Sequence, residues 1–166
     1  MVTARLAGAA DADAIGRIQV ETWRAAYTGL IPDEAIESFD VAARQRLWRE
    51  WFDQPWPGGV VFVAEHDGHV VGFANSGPCR EEERAGELYA IYVLPTSWGT
   101  GAGRALIQHT EEWMRFSGFG EAILWVLEGN ERAERFYRAA GWELDGRKVD
   151  QFQGADVAEL RYRKRL

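Results

Sequence analysis

Residues 97–106 read SWGTGAGRAL, placing Gly99, Gly101 and Gly103 at alternate positions between a strand-like run and a pattern of helical period. A glycine-rich turn that opens a helix exposes backbone N–H groups, admits an anion close to them and adds the favourable end of the helix dipole. Phosphate binding is the chemistry on offer, although a tight strand-to-helix connection needing only glycine's backbone freedom explains the same spacing. Two phosphate motifs do not fit. An NTP-binding loop needs Lys-Ser/Thr after its last glycine, and a dinucleotide fingerprint needs a third glycine where Arg104 stands, within a parallel strand–helix–strand unit. Arg104 itself opposes the helix dipole by about 0.3–1 kcal/mol unless an anion offsets it, and an exposed arginine tolerating that cost fits equally well.

Other reactive residues offer less. Cys79 is the single cysteine, with no histidine nearby, so it reads as incidental and suits a reducing compartment. His66 and His69 flank the turn in HDGH, His109 lies in a helical pattern, and no second ligand cluster joins them, so no metal is expected. The net charge of −7 opposes nucleic acid and anionic membrane and favours a cationic or neutral small partner. The N-terminal MVTARLAGAADADAIGRI has acids where a signal peptide needs a basic and then an apolar segment. No run approaches the roughly 20 apolar residues of a membrane span, so a soluble cytoplasmic protein is expected.

The framework around these residues is expected to be one domain over residues 1–166, with 46% hydrophobic content and eight tryptophans for core or pocket walls. A strand at 2–7 leads through a turn at Gly8–Asp13 into a helix with Ile15, Ile18, Trp23, Ala26 and Tyr27 on one face. Pro32 opens a short helical segment, and Asp40 caps a helix over 41–53 with Leu47, Trp48, Trp51 and Phe52 inward. Runs 60–65 and 70–75 form a hairpin through Asp67 and Gly68, and 88–94 is a third strand stopped by Pro95. The intervening REEERAGE, 80–87, reads as a solvated loop. After the glycines, Leu106, Ile107, Thr110, Trp113 and Met114 recur at helical spacing up to Gly118. A buried strand at 122–127, a helix capped by Asn130, and strands near 142–149 and 156–164 complete an α+β order with a mixed sheet.

Two segments carry a resemblance. LYAIYVLPTSWGTGAGRAL, 88–106, is similar to the fourth strand and acetyl-CoA loop of the GNAT superfamily of N-acetyltransferases, and NERAERFYRAAGW, 130–142, to its Asn-x-x-Ala-x-x-Phe-Tyr helix. ETWRAAYTGLIPDEAI, 21–36, looks like the first-helix region of one branch. The resemblance implies a mostly antiparallel sheet of six to seven strands with helices on both faces. It also implies a gap between strands 87–94 and 121–127 that takes the pantetheine arm of acetyl-CoA. Ile91, Tyr92 and Val93 would then meet pantetheine, and the amides of Gly99, Thr100, Gly101, Ala102, Gly103 and Arg104 the pyrophosphate, beside Asn130, Ala133 and Phe136. Trp98 departs from the pattern, standing where relatives carry Gln or Arg; an indole cannot replace those polar contacts.

Amide formation from a thioester needs a neutral amine, a polarised carbonyl and a protonated leaving thiolate. By the resemblance, Tyr137 is the general acid, the Val93 amide an oxyanion donor, and Glu87 the base or an anchor for a cationic acceptor. Strand alternation would put Glu87, Tyr89, Ile91 and Val93 on one side. Trp23 and Tyr27, four residues apart, offer an aromatic wall for the acceptor, or core packing. The expected activity is direct acetyl transfer to a small-molecule or peptide amine. A non-catalytic acyl-CoA sensor on the same fold is the alternative, and a homodimer is left open.

Overall fold

Asp67 (φ 52°) and Gly68 (φ 80°) adopt the left-handed conformations that a two-residue hairpin turn needs to match strand twist. They join β2 (Val60–His66) to β3 (His69–Pro78) in the computed structural model, which describes residues 1–166. The remaining strands are β1 (Val2–Leu6), β4 (Gly86–Val93), β5 (Glu121–Leu127), β6 (Glu143–Phe152) and β7 (Ala155–Arg165). The helices are α1 (Ala12–Tyr27), α2 (Asp33–Glu37), α3 (Val41–Asp53), α4 (Ala102–Phe116) and α5 (Glu131–Ala139). All seven strands join one sheet in the order β1-β2-β3-β4-β5-β7-β6, antiparallel except for β4 against β5.

Apolar periodicity decides which face each helix covers. Leu106, Ile107 and Met114 of α4 pack with Leu88, Leu124, Trp142 and Tyr162 on one side. On the other, Ile15 and Ile18 of α1 and Trp48 of α3 pack on Val61, Val63 and Phe73. Each fully buried aliphatic side chain contributes about 1.5–3 kcal/mol relative to exposure. Helix ends follow local chemistry: Asp40 Oδ1 accepts from Ala42 N at 2.9 Å, and Asn130 Oδ1 accepts from Ala133 N at 3.3 Å.

Four expectations need correction. The alternation along β4 changes phase, because the β3–β4 register slips beside Asn75 and Ser76 and leaves Tyr89 as the extra residue of a bulge. Leu88, Ile91 and Val93 therefore pack with the α4 core, while Ala90 and Tyr92 pack with the α1/α3 core. Glu87 and Tyr89 do not share a side with Ile91 and Val93. The charged 80–87 stretch is not simply solvated, since Ala85 and Glu87 are each 1% exposed and Glu82 is held by Arg163 at 2.6 Å. Leu47 points outward, 51% exposed, so only Trp48, Trp51 and Phe52 of its expected group turn inward. The last two strands also run longer than expected, because Gln153 and Gly154, both at positive φ, fold them into a hairpin.

Candidate functional site

The gap begins where β4 and β5 separate. Their register pairs cover only Gly86–Leu88 with Ala122–Leu124, after which the strands diverge. Leu94 N donates to Val71 O on the β3 side at 2.8 Å, so alternation turns the backbone groups of Ile91 and Val93 toward the gap and those of Tyr92 toward β3. Tyr92 thus brings its ring to the site rather than its backbone. Within the gap the Val93 carbonyl accepts from Trp98 Nε1 at 2.8 Å, which leaves the Val93 N–H as that residue's free backbone group.

At the wide end stands the glycine turn. Gly99 (φ 77°) and Gly101 (φ 95°) need left-handed backbone, and a Cβ at either would project into open space. Gly103 has another cause: a Cβ there would lie 3.2 Å from the Phe136 ring, so its absence lets α4 and α5 approach. The amides of Gly101, Ala102, Gly103 and Arg104 find no acceptor in the chain, since α4 has no side-chain cap and its first turn bonds only from Ala105 N to Gly101 O. These orphan donors and the open space before them suit a diphosphate. Arg104 is exposed beside them, and the Thr100 hydroxyl is tied to Ser97 O at 2.7 Å. Trp98 stands between strand and helix: the guanidinium of Arg132, in the first turn of α5, lies 3.4 Å from its ring centre. A cation from another element is thereby brought against the Trp98 ring.

A cleft of about 390 Å³ runs from the gap under α1. Its walls include Trp23, Tyr27, Glu87, Ile91, Tyr92, Val93, Asn130, Ala133 and Tyr137, so most of the expected residues meet in one space. Gly99 to Arg104, Trp98 and Phe136 lie outside it, at the far end of the gap. Asn130 serves as the α5 cap, while Ala133 and Phe136 pack on the α4-side core.

Three tyrosines converge in the cleft. The Tyr27 and Tyr92 hydroxyls lie 3.4 Å apart, and burial raises both phenols above their ordinary value. Burial raises the Tyr137 phenol as well, so its hydroxyl stays protonated throughout the neutral range. Glu87 is bound on two sides: Arg80 Nη2 reaches Oε1 at 2.6 Å and the Arg80 backbone N–H donates to Oε2 at 3.1 Å. Trp23 packs against Phe39 and Phe152, and its buried Nε1 has no acceptor.

Several wall residues escaped the sequence reading. Arg80, Trp125, Lys148, Phe152 and Glu159 all line the cleft. Four of them come from β5 and the β6–β7 hairpin, and reach the site only through pairings that no local spacing records. The run REEERAGE did carry a signal for Arg80, since a buried glutamate at its end requires a nearby cation.

Known proteins share this architecture. Residues 18–142 match the acetyltransferase (GNAT) family. The chain is 38% identical over 162 residues to the uncharacterized N-acetyltransferase YuaI of Bacillus subtilis strain 168, covering 96% of this chain and 91% of that protein. The ribosomal-protein-alanine N-acetyltransferase of Brucella melitensis is 28% identical and superposes with a TM-score of 0.75, covering 98% of this chain and 99% of that one. A PaiA N-acetyltransferase from Thermoplasma acidophilum, crystallised with coenzyme A, shares the fold at 20% identity and a TM-score of 0.73, over 100% of this chain and 99% of its own. No helix of the chain is long and apolar enough to cross a membrane. A family match across 18–142, joined to a split sheet, an orphan-amide turn and a tyrosine-lined cleft, leads to one assignment: the chain belongs to the GNAT family of acetyltransferases.

Proposed function

We propose that the chain moves an acetyl group from acetyl-CoA directly to an amine, with Tyr137 as the acid and the cleft under α1 as the acceptor site. The observation that carries this reading is the placement of the protonated Tyr137 hydroxyl in a cleft continuous with the β4–β5 gap. Acetyl-CoA supplies a thioester carbonyl; the amine lone pair forms the C–N bond as the C–S bond breaks. The Val93 N–H faces the gap and suits the developing oxyanion. Tyr137 gives the leaving sulfur a hydrogen bond and then its proton, and its phenolate regains a proton from the second N–H that the acylated nitrogen sheds on becoming an amide. A tyrosine is a weaker acid than a thiol in water, but the burial that raises Tyr137 raises the proton affinity of a thiolate beside it. The Gly101–Arg104 amides and Arg132 would hold the diphosphate, and Ile91 and Val93 the pantetheine arm.

Of the two roles open to Glu87, acceptor orientation is favoured. Both of its oxygens already accept, one from a guanidinium and one from a backbone N–H, so the carboxylate is held in a fixed position and orientation. Trp23 and Tyr27 wall the acceptor side, and the cytoplasm is the compartment we assign. No nucleic acid or membrane partner is proposed.

An acceptor screen that follows release of the CoA thiol tests the reading. Release with at least one amine class, lost in Tyr137→Phe, is expected. Tight CoA binding with no release across alkylamines, amino acid amides and peptide N-termini would favour the sensor instead.

A further inference from the structure

Glu159 is the cleft carboxylate held least closely by a cation. It lies on β7, in register with Leu127 of β5 and Lys148 of β6, and is half-buried. Its nearest cation is Lys148 Nζ at 3.8 Å, yet that ammonium is closer to Asp150 at 3.4 Å and Glu81 at 3.5 Å. One lysine therefore faces three carboxylates, while Arg80 is taken up by Glu87. Tyr27 from α1 and Tyr92 from β4 also feel the Glu159 charge, and Arg80, Glu81, Lys148 and Asp150 complete the ionisable groups around it. Arg161, its neighbour on β7, turns to Asp145 and the Trp125 ring. Burial raises the Glu159 carboxyl above its ordinary value. On the α1 side the same cleft is aromatic, with Phe152 5.2 Å from Trp23 and 5.4 Å from Tyr27.

We propose that Glu159 receives the acceptor's ammonium group and takes its proton, and that the acceptor is a cationic alkylamine whose carbon frame stands against Trp23, Tyr27 and Phe152. This rests on the acyl-transfer reading above. The excess of negative charge has room for one more cation, and an alkylammonium completes it. An N–H bond of the ammonium breaks, its proton passes to a Glu159 oxygen, and the lone pair left on nitrogen becomes the nucleophile. Desolvation favours the transfer from both sides, lowering the proton affinity of the amine and raising that of the carboxylate. The protonated Glu159 returns its proton to water at the cleft mouth. Glu87 orients while Glu159 accepts the proton, so two carboxylates divide two tasks.

The test compares wild type, Glu159→Gln and Lys148→Met with n-butylamine and phenethylamine as probes. Acetyl-CoA affinity is measured by calorimetry, amine binding by tryptophan fluorescence with CoA present, and turnover by CoA thiol release between pH 6 and 10. Glu159→Gln is expected to weaken n-butylammonium binding tenfold or more and to leave acetyl-CoA affinity within twofold. Its loss in kcat/KM closes as pH nears the amine's own pKa of about 10.4. Lys148→Met, which removes the nearest cation, moves the acidic limb of the profile to higher pH. Equal binding of n-butylammonium and 1-butanol by wild type, a pH-independent loss in Glu159→Gln, or an unmoved limb in Lys148→Met would overturn the assignment. Failure of wild type to bind acetyl-CoA would instead remove the acyl-transfer reading itself.

Discussion

The Arg132 guanidinium rests 3.4 Å from the ring centre of Trp98, and the indole N–H of Trp98 donates to the Val93 carbonyl at 2.8 Å. An indole that cannot bind phosphate through its own polar group thus carries a group that can, and fixes β4 to α5 while doing so. Arg132→Ala is expected to weaken CoA binding about tenfold, or ~1.4 kcal/mol, with turnover at saturating acetyl-CoA preserved. Trp98→Leu should lose less, and Trp98→Arg should restore binding to Arg132→Ala. Calorimetry at two salt concentrations checks this, since a lost phosphate contact makes binding less salt-sensitive. An unchanged Kd in Arg132→Ala would disconnect this pair from the cosubstrate.

Tyr137→Phe removes one hydroxyl from a buried ring that keeps its packing against Phe136, Trp142 and Tyr162. A general acid contributes roughly 10²–10⁴ in rate. We expect kcat to fall by about a hundredfold, with acetyl-CoA affinity and Tm nearly unchanged. Single-turnover thiol release measures it, and a loss confined to KM would reassign the hydroxyl to binding.

Glu87→Gln separates orientation from proton removal. The carboxylate is bound to Arg80, whose side chain is 62% exposed and can turn back to water once the charge is gone. The stability cost is therefore modest, about 1–2 kcal/mol. Activity should fall by a similar factor at every pH, in contrast with the pH-closing loss expected at Glu159. Recovery of Glu87→Gln at high pH would return the proton-accepting role to Glu87.

Glu111 tests the scaffold apart from the chemistry. Its buried carboxylate accepts from Trp142 Nε1 at 3.1 Å and from Lys164 Nζ at 2.8 and 2.9 Å, tying α4 to β7 and to the end of α5. Glu111→Ala leaves a buried indole N–H without a partner and is expected to cost about 3 kcal/mol, allowing for partial exposure of Lys164. For a domain of this size that lowers Tm by about 6–12 °C. Acetyl-CoA affinity at 15 °C should not change.

What the sequence disclosed was local. Asp40, Asn130, the Asp67–Gly68 turn and the glycine loop act within a few residues of their own position, so type and spacing are enough to read them. The cleft's charge balance is not local. Arg80 and Glu87 meet across a bend, Glu159 and Lys148 meet across a hairpin, and Phe152 reaches Trp23 only after β6 and β7 have paired. The β4 bulge is likewise a property of two strands together. A strict two-residue period, read from one strand alone, put Glu87 on the wrong side of it.

Three register pairs join β4 to β5. The sheet is consequently two slabs, β1–β4 and β5–β7–β6, sharing a short seam, with the Trp98–Arg132 stack as a clasp beyond its open end. Whatever lies along that opening touches both slabs and stiffens the joint between them. Amide exchange on Ile91 and Val93 should slow when CoA binds, together with that of Trp125 and Leu127, the β5 residues whose N–H groups face the opening. On this view the cosubstrate is also a structural member, and the rigidity of the protein follows the supply of acyl-CoA around it.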